Sequence, residues 1–414
     1  MACSSHEIVL TSSPNGPITV YDTISGTTVA RFIGSRSPRH GLALVGKAYI
    51  AASHFSSNTA SGSIHLYKWW STTAFHHLPV PEPVAPLAAT VDGLFLFAGG
   101  LSGHVHAFSI PSGNILRSFP AHSKPVSCII IRSDWSLLIS GGDDGTIAVA
   151  PMLQLLDASR VDSSSKLMLQ RFVAHGGPVT AITSCTGLCH ATIISSSTDN
   201  TCKVWSLSKG TILRTIIFPC TISGIVLDSI EKEFYAAGSN GVVYKGCLRV
   251  GIRKGLKHGG DLMALAESHN GAVVSLLMVN GGKNLMSAAE DGNIYLWEVE
   301  KGKVINVLGN SMDSISATVL GSGFGDSAGV TSHMDEREGG CLEHFRKGVH
   351  DTKEIGDVLT GAEMDKSKTI DLLESAIGVY ERLLELILEE VNGGNSRICE
   401  KKTDDDQLMP KEKV

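Results

Sequence analysis

The chain has 414 residues, 43% of them hydrophobic, which is enough apolar material for one large domain or two or three smaller ones. A formal net charge of −6 argues against a dominant direct nucleic-acid site, because such surfaces carry a basic excess, although a local basic patch is compatible with it. No apolar stretch approaches the roughly 20 residues that cross a bilayer, and the nine cysteines have no framework spacing, so we expect a reduced protein outside the membrane.

The N-terminal stretch "MACSSHEIVL" lacks the basic and apolar regions of a signal peptide, which favours an intracellular protein. After it, a seven-residue motif recurs in the register polar–Gly–x–apolar–x–apolar–aromatic. Its copies begin 41 to 55 residues apart, a period typical of four-stranded blades rather than helical repeats. The copies span residues 15–21, 61–67, 102–108, 144–150, 199–205, 240–246 and 291–297. We therefore predict an all-β protein, a seven-bladed β-propeller.

The first blade is short of one strand. Before the first motif there is room only for a strand at 7–11, whereas every other motif has room for two. After the last motif come an outer strand at 303–308 and a spare alternating segment at 314–320. We predict that this spare segment completes the first blade, which removes open edges and closes the ring.

Three connections between the motifs are predicted to lie outside the strands. Residues 53–63 are polar and typical of a loop. The two tryptophans at 69–70 lead into a proline-rich connection at 79–86, so either these aromatics pack on the neighbouring blade or the connection presents extended backbone to a partner. The insertion at 151–167 has a Ser- and Asp-rich half, which is typical of an exposed loop and makes it a candidate contact surface.

Histidine, serine and aspartate recur at fixed offsets around the strongest motifs. A serine stands four residues before the motif acid and a histidine 22 to 24 residues before it, while Ala150 replaces the tryptophan in one of three sets. The sets are His175, Ser195, Asp199 and Trp205; His269, Ser287, Asp291 and Trp297; and His122, Ser140 and Asp144. This pattern resembles the WD-repeat family. The resemblance implies a buried relay of hydrogen bonds from indole through hydroxyl and imidazole to carboxylate, which holds the turn between two strands.

Three patterns in the sequence resemble a catalytic, a metal and a phosphate site. Ser, His and Asp also form hydrolase triads, but a triad occurs once with an exposed serine, so recurrence favours the structural interpretation. Cys185, Cys189 and His190 are spaced closely enough for zinc, yet no second ligand pair follows, which favours buried strand thiols. The glycine-rich segment at 321–329 lacks the Lys-Ser/Thr ending of a phosphate loop. We expect no catalytic site, no metal site and no cofactor.

The sequence changes character after the propeller, which is predicted to span 1–320. Residues 321–365 are glycine-rich and typical of a flexible linker, residues 366–392 have the heptad spacing of a coiled-coil helix, and residues 393–414 are typical of a disordered tail. The helix interface comprises Ile370, Leu373, Ile377, Tyr380, Leu384, Ile387 and Val391. This seam predicts a homodimer, the alternatives being docking of the same helix on a partner or on the propeller.

Several features together resemble the WD-repeat subunit of the rixosome, a ribosome-assembly complex. They are the degenerate seven-blade repeats, the stretch at 218–244, the insertion after the fourth motif and the C-terminal heptad helix. The resemblance implies a non-enzymatic scaffold of the nucleus, nucleolus and nucleoplasm. Its partners would be a helical-repeat scaffold subunit, the midasin ATPase and large-subunit ribosome precursors, and its task pre-rRNA spacer processing. In plants, the resemblance also implies a role in root and meristem development.

Two other classes of function compete with this one. A generic WD-repeat adaptor, such as a ubiquitin-ligase substrate receptor, is the first. Such receptors often carry an arginine after a Trp-Asp pair, whereas Ser206 and Glu298 follow the motif tryptophans here. A propeller enzyme is the second, and it would need acids, histidines or metal ligands that converge on the central channel.

Overall fold

The protein is a ring of seven small sheets in a computed structural model that describes residues 7–56, 61–156, 168–185, 192–207, 209–248, 262–309 and 314–322. Within these residues, 28 strands form seven antiparallel four-stranded sheets. The sheets pack face to face as blades, and the predicted seven-bladed β-propeller is confirmed. No helix in the described part of the chain is long and apolar enough to cross a membrane.

The chain supplies three consecutive strands to blade 1 and four to each of blades 2 to 4. These strands are β1 (Glu7–Ser12), β2 (Ile18–Asp22) and β3 (Thr28–Phe32); β4 (Leu42–Val45), β5 (Tyr49–Ser56), β6 (Ser61–Lys68) and β7 (His76–Pro79); β8 (Val84–Ala89), β9 (Phe95–Gly100), β10 (His104–Ser109) and β11 (Ile115–Pro120); and β12 (Val126–Ile131), β13 (Leu137–Gly142), β14 (Thr146–Pro151) and β15 (Gln170–Val173). A short helix, α1 (Met152–Leu156), lies between β14 and β15.

Blades 5 to 7 follow the same order, and one further strand returns to blade 1. These strands are β16 (Val179–Ser184), β17 (Thr192–Ser197), β18 (Thr201–Ser206) and β19 (Thr211–Ile217); β20 (Ile222–Leu227), β21 (Glu233–Gly238), β22 (Val242–Cys247) and β23 (Leu262–Ser268); β24 (Val273–Val279), β25 (Asn284–Ala289), β26 (Ile294–Glu298) and β27 (Lys303–Leu308); and β28 (Ala317–Ser322). A single 3-10 turn, Asn280–Gly282, separates β24 from β25.

The cores of the protein lie between the blades. All six positions of β17 are buried, because neighbouring blades cover both of its faces, whereas the outer strand β19 is exposed or half-buried along its length. Between blades 4 and 5, for example, Ile139, Ile193 and Trp205 belong to one buried cluster. The β-branched and aromatic residues of the motifs therefore form strands because successive side chains enter the two adjacent cores.

Blade 1 is completed by the two ends of the repeat region. Strand β28 pairs antiparallel with β1, placing Leu10 opposite Val319, and the sheet order is β28-β1-β2-β3. The predicted closure is confirmed, although the strand occupies Ala317–Ser322 rather than 314–320. The predicted outer strand at 303–308 is also confirmed, as β27. With both edges of β1 paired, the ring has no open seam between its first and last blades.

The connections differ from prediction in three places, one of which is the proline-rich segment 79–86, where only residues 80–83 lie between β7 and β8. The prediction of a loop at 53–63 is wrong, because both ends of this segment belong to the β5–β6 hairpin. Residues 57–60, between the two strands, lie outside the described residues. Cross-strand pairing, such as His54 opposite Ser63, satisfies the backbone of this polar stretch, which composition does not reveal. The insertion after the fourth motif begins with the helix α1, and its Ser-rich half lies outside the described residues.

The C-terminal predictions concern residues that the structure does not describe. The helix at 366–392 and the tail at 393–414 lie wholly outside the described residues. The same is true of the linker at 321–365, apart from the two residues that end β28. The linker, the helix with its interface residues and the tail therefore stay predictions.

Candidate functional site

Blade 5 contains the complete set of four relay side chains at the turn between β17 and β18. The indole Nε1 of Trp205 donates to Ser195 Oγ over 3.0 Å, and this oxygen lies 2.8 Å from Nε2 of His175. Nδ1 of His175 lies 3.0 Å from Asp199. An ionised carboxylate only accepts, so His175 carries its proton on Nδ1 and the Ser195 hydroxyl donates to Nε2. The structure thus brings all four predicted residues into one relay.

The Asp199 carboxylate forms the outer end of this relay. It accepts from the backbone N–H groups of Gly176 and Thr201, both at 3.0 Å, and from the Thr201 hydroxyl at 2.6 Å. Burial by itself would raise the pKa of Asp199, but the hydrogen bonds from Thr201 and the neighbouring His175 outweigh it and lower the pKa. Burial dominates for His175 and lowers its pKa, so the imidazole is neutral at pH 7. The relay therefore ties the loop before blade 5 to the β17–β18 turn.

Blade 7 has the same four residue types but a looser outer end. The indole Nε1 of Trp297 donates to Ser287 Oγ over 2.8 Å, and that oxygen lies 2.7 Å from Nε2 of His269. Nδ1 of His269, however, is 3.6 Å from Asp291 and has no hydrogen-bond partner. Because 3.6 Å is too long for a hydrogen bond, the relay stops at the imidazole.

Two neighbours account for the looser end in blade 7. Asn293 occupies the position that Thr201 occupies in blade 5. Its backbone N–H donates to Asp291 over 2.9 Å, but it brings no hydroxyl against the imidazole. The ring of His269 instead stacks on Tyr295, with 3.9 Å between centroids. Ring stacking thus holds the imidazole of blade 7 in place of a contact to the acid.

Blade 4 routes its relay through a threonine. Nε2 of His122 lies 2.9 Å from Ser140 Oγ, and Nδ1 lies 2.8 Å from Thr146 Oγ1. The Thr146 hydroxyl donates to Asp144 over 2.6 Å, so it accepts from the Nδ1 proton of His122. Burial lowers the pKa of His122 to about 4, against the opposing influence of Asp144. The structure brings the three predicted residues together, with Nδ1 of His122 also 3.3 Å from Asp144, and adds Thr146 as a second link between imidazole and acid.

The motifs that lack tryptophan fill its place with other apolar groups. In blade 4, Ala150 shares a buried cluster with Met152 and Leu155, which come from the helix α1. In blade 6, the ring of Phe234 lies where a Cβ at Gly246 would collide with it. Both blades therefore pack without an indole, through residues that lie outside the recurring motif.

Blade 3 contains a relay that sequence reasoning missed. Glu82 lies in the loop before the blade, where other blades place histidine. Its carboxylate accepts from the hydroxyl of Ser102 at 2.5 Å, from the backbone N–H of Ser102 at 2.6 Å and from Nε2 of His106 at 3.0 Å. Glu82 thus stands in place of the histidine, Ser102 stands in place of the motif acid, and the imidazole comes from His106, four residues after the start of the motif. The available signal was a glutamate 20 residues before the motif serine.

Blade 6 joins the same two loops without histidine or aspartate. Nδ2 of Asn240 donates to the Tyr244 hydroxyl over 2.8 Å, and the Cys220 thiol lies 3.3 Å from Oδ1 of Asn240. Tyr244 occupies the position of Tyr295 in blade 7, four residues after the start of the motif. The joint between the two loops is thus present in blade 6, although its chemistry is different.

Hydroxyl groups link the innermost strands around the central channel. In blades 4, 5 and 6 a bulged residue near the start of the innermost strand donates to a carbonyl of the next blade. These bonds run from Ser127 to Val179, from Thr180 to Ile222 and from Ser223 to Val273. Between blades 7 and 1, the hydroxyl oxygens of Ser275 and Thr318 are 2.6 Å apart. Directed hydrogen bonds therefore add to apolar packing at these joints.

The segment between β3 and β4 reaches across the channel. Although it leads into blade 2, Arg39 donates to the carbonyl of Ser223 in blade 6, and Nε2 of His40 lies 3.1 Å from the carbonyl of Thr180 in blade 5. The carbonyl of His40 accepts from Leu87 N–H of blade 3 over 2.9 Å. Burial and the neighbouring Arg39 lower the pKa of His40 to about 3, so a neutral imidazole donates to Thr180. These side chains occupy the channel near the start of the innermost strands.

The buried polar groups are arranged for holding turns. The three relay serines are at most 3% exposed, whereas a nucleophilic serine has to reach its substrate. In the described residues, no group of three or more His, Cys, Asp and Glu side chains is placed to hold a metal ion. Cys185 is buried, which raises its pKa to about 11, while Cys189 and His190 lie outside the described residues.

Comparison with known families agrees with the blade geometry. The family described as "WD domain, G-beta repeat" matches residues 113–149, 167–206 and 260–298. These three ranges contain the His, Ser and Asp relay residues of blades 4, 5 and 7. The first range also contains β11 of blade 3 and the third contains β23 of blade 6, whereas the joint that blade 3 forms through Glu82 and Ser102 lies outside the matched ranges.

Three curated proteins illustrate what the whole chain resembles. It is 33% identical over 301 residues to Protein ROOT INITIATION DEFECTIVE 3 of Arabidopsis thaliana, which covers 73% of this chain and 68% of that protein. It is 27% identical to WD repeat-containing protein 18 of Homo sapiens over 75% of this chain and 71% of that protein. It is 24% identical to Pre-rRNA-processing protein IPI3 of Yarrowia lipolytica over 60% of each. The similarity thus extends well beyond the three matched repeats.

Proposed function

Because this chain belongs to the WD-repeat family that includes ROOT INITIATION DEFECTIVE 3, we propose that it is a non-enzymatic scaffold of ribosome biogenesis that acts in pre-rRNA processing. The relative from Yarrowia lipolytica is named a pre-rRNA-processing protein. A relative's task transfers only through shared surfaces, and the outer faces and connecting loops of the propeller are the surfaces through which it would transfer here. Scaffolding is the role that this architecture serves best.

One structural observation carries the proposal. The groups that resemble catalytic residues are engaged in holding the blades together, as His175 is between Ser195 and Asp199. The central channel, where propeller enzymes place their reactive groups, is occupied by Arg39 and His40. A rigid ring with its reactive groups committed internally is suited to holding partners in a fixed arrangement.

The proposal extends to the assembly in which the protein acts. We assign it to the rixosome, with a helical-repeat scaffold subunit, the midasin ATPase and large-subunit ribosome precursors as partners. The helix at 366–392 would pair two copies, because its seven seam residues would otherwise leave an apolar stripe in water. The location would be the nucleus, including nucleolus and nucleoplasm. In a plant, loss of the protein would impair root and meristem development.

Affinity purification of the full chain, with mass spectrometry and pre-rRNA detection, tests this proposal. We expect midasin, the helical-repeat subunit and large-subunit precursors to co-purify, and spacer-containing pre-rRNA to accumulate when the protein is depleted. The matched variant carries Leu373→Asp and Leu384→Asp, which place charge in the predicted seam of the helix. Partners that this variant loses would bind through the helix, and partners that it keeps would bind through the propeller. Recovery of a ubiquitin ligase without ribosome precursors would instead support the adaptor function and contradict the proposal.

A further inference from the structure

The part of the chain that builds blade 2 differs in charge from the rest. Asp and Glu supply 41 of the 414 residues and the net charge is −6, yet no acidic residue occurs between Asp22 and Glu82. The same stretch contains five arginines and lysines: Arg31 in blade 1, Arg36 and the channel residue Arg39 in the segment that leads to blade 2, and Lys47 and Lys68 in blade 2 itself. A locally basic region on an acidic protein is typical of a surface that meets an anionic partner.

Exposed aromatic rings cluster at one end of blade 2. Trp70 and Phe75, in the connection between β6 and β7, are 57% and 44% exposed. The ring of Tyr49, at the start of β5, lies 5.3 Å from that of Phe75 between centroids. Trp69 faces the opposite way, donating from Nε1 to the Lys47 carbonyl over 3.0 Å and packing on the core between blades 1 and 2. One tryptophan thus anchors the connection, and the other is left open to solvent.

One lysine stands among these rings, and a second lies in the adjacent turn. Nζ of Lys68 lies 5.4 Å from the centroid of Trp70 and 4.9 Å from that of Phe75, and Lys68 is paired with Tyr49 across the β5–β6 hairpin. Lys47 is exposed in the adjacent β4–β5 turn. We call Lys47, Tyr49, Lys68, Trp70 and Phe75 the blade 2 patch. It combines positive charge with accessible ring surface in one place.

The neighbouring turn of blade 3 contributes an acid that is already engaged. The carboxylate of Asp92 accepts from the hydroxyl of Thr90 and, over 2.9 Å, from the backbone N–H of Leu94. These bonds commit the carboxylate to its own β8–β9 turn. Hydrogen bonds from neutral donors leave the charge of the carboxylate in place, so Asp92 marks the acidic limit of the basic region on the blade 3 side.

We propose that the blade 2 patch binds single-stranded RNA. Bases would stack on Trp70 and Phe75, and the lysines would attract phosphates, which is how proteins hold single strands without reading their sequence. An acidic peptide would use the lysines but gain little from open ring faces; the choice of RNA also rests on the proposed function in pre-rRNA processing. Two lysines and two open rings suit a contact with a few nucleotides. Such a contact agrees with the absence of a basic excess over the whole chain.

Fluorescence anisotropy with the purified full chain and a labelled oligouridine of roughly 12 nucleotides measures this contact. We expect affinity in the micromolar range that weakens between about 50 and 200 mM salt. Trp70→Ala with Phe75→Ala should weaken binding by about 10-fold or more, because stacking is lost. Lys47→Gln should reduce the magnitude of the slope of log binding constant against log salt concentration by about 0.7, because one phosphate contact is lost.

The matched control changes the β20–β21 turn of blade 6, which corresponds to the β4–β5 turn that carries Lys47 in blade 2. It carries Ile230→Ala and Lys232→Gln, which remove an apolar side chain that is 68% exposed and an exposed lysine. We expect this variant to bind RNA like the unaltered chain. Urea unfolding of every variant checks that the propeller is intact, and the open positions of Trp70 and Ile230 make unfolding by these changes unexpected.

Several results would overturn the RNA site. They are absence of RNA binding by the full chain, equal loss in the patch and control variants, or displacement of the RNA by a polyglutamate peptide at a similar concentration. The last result would assign the patch to an acidic protein partner. The measurement uses purified protein, so its outcome does not depend on which complex the chain joins. RNA binding without ribosomal partners, or the reverse, therefore separates this inference from the proposed function.

Discussion

Blades 5 and 7 carry the same four relay residues, yet only the inner halves of the two relays are equivalent. In both blades the tryptophan indole and the histidine Nε2 lie within 3.0 Å of the serine hydroxyl. In the outer halves, the imidazole lies 3.0 Å from the acid in blade 5 and 3.6 Å in blade 7. The first relay therefore connects the core to the loops, while the second ends at the histidine.

The difference arises from a residue that is not part of the recurring set. In blade 5, Thr201 donates to Asp199 over 2.6 Å and its oxygen lies 3.1 Å from Nδ1 of His175. In blade 7, Asn293 replaces this threonine, and Tyr295 stacks on the histidine. Matching residue types at matching offsets thus does not guarantee the same hydrogen bonds, because neighbours set the position of the imidazole.

The largest loss of stability is expected when the inner half of either relay is broken, and this loss should be the same in both blades. Ser195→Ala and Ser287→Ala each leave an indole N–H and an imidazole nitrogen buried without a partner, which should lower the free energy of unfolding by about 2–4 kcal/mol. Urea unfolding of each single variant measures this change. Because the distances agree between the blades, the two losses should agree within about 0.5 kcal/mol. A clear inequality would show that the inner halves are not equivalent.

The outer halves should respond unequally. Asp199→Ala removes the acceptor for His175, Thr201 and Gly176, and we expect a loss of about 2–3 kcal/mol. Asp291→Ala removes an acceptor that the histidine does not use, and we expect a loss of about 1 kcal/mol. Urea unfolding is again the measurement, and partner binding should fall only in step with stability. Equal losses would mean that the 3.6 Å separation in blade 7 has no energetic meaning.

The smallest change in stability is expected when Thr201 and Asn293, the residues next to the two relays, are exchanged. Asn293→Thr should provide blade 7 with the missing hydroxyl and stabilise the protein by about 0.5–1 kcal/mol. Thr201→Asn should destabilise blade 5 by a similar amount, about 0.5–1 kcal/mol. The double variant serves as the control, since its two changes lie in different blade turns and should nearly cancel. If Asn293→Thr instead lowered the urea midpoint, stacking on Tyr295 would be the dominant contact of His269.

Sequence offsets were sufficient to bring together the relay residues of blades 4, 5 and 7, because each relay spans one strand turn of fixed geometry. They were not sufficient for blade 3, where Glu82 stands in place of the histidine and the imidazole comes from His106, four residues after the start of the motif. Nor did they indicate that Phe234 would fill the space beside Gly246. Such substitutions preserve the shape and hydrogen bonding of a joint while changing its residues, so a search for fixed residue types passes over them.

The sequence by itself determined the number of blades, the strand alternation within them and the need for a C-terminal strand to complete blade 1. These features depend on local periodicity and on the repeat length, which are written along the chain. Only the tertiary structure decided that Arg39 and His40 reach blades 5 and 6 across the channel, and that Trp70 stands open beside Lys68 while Trp69 is anchored. The channel contacts join residues far apart in sequence, which meet only when the ring closes, and the two adjacent tryptophans differ because only Trp69 reaches the Lys47 carbonyl and the core between blades 1 and 2.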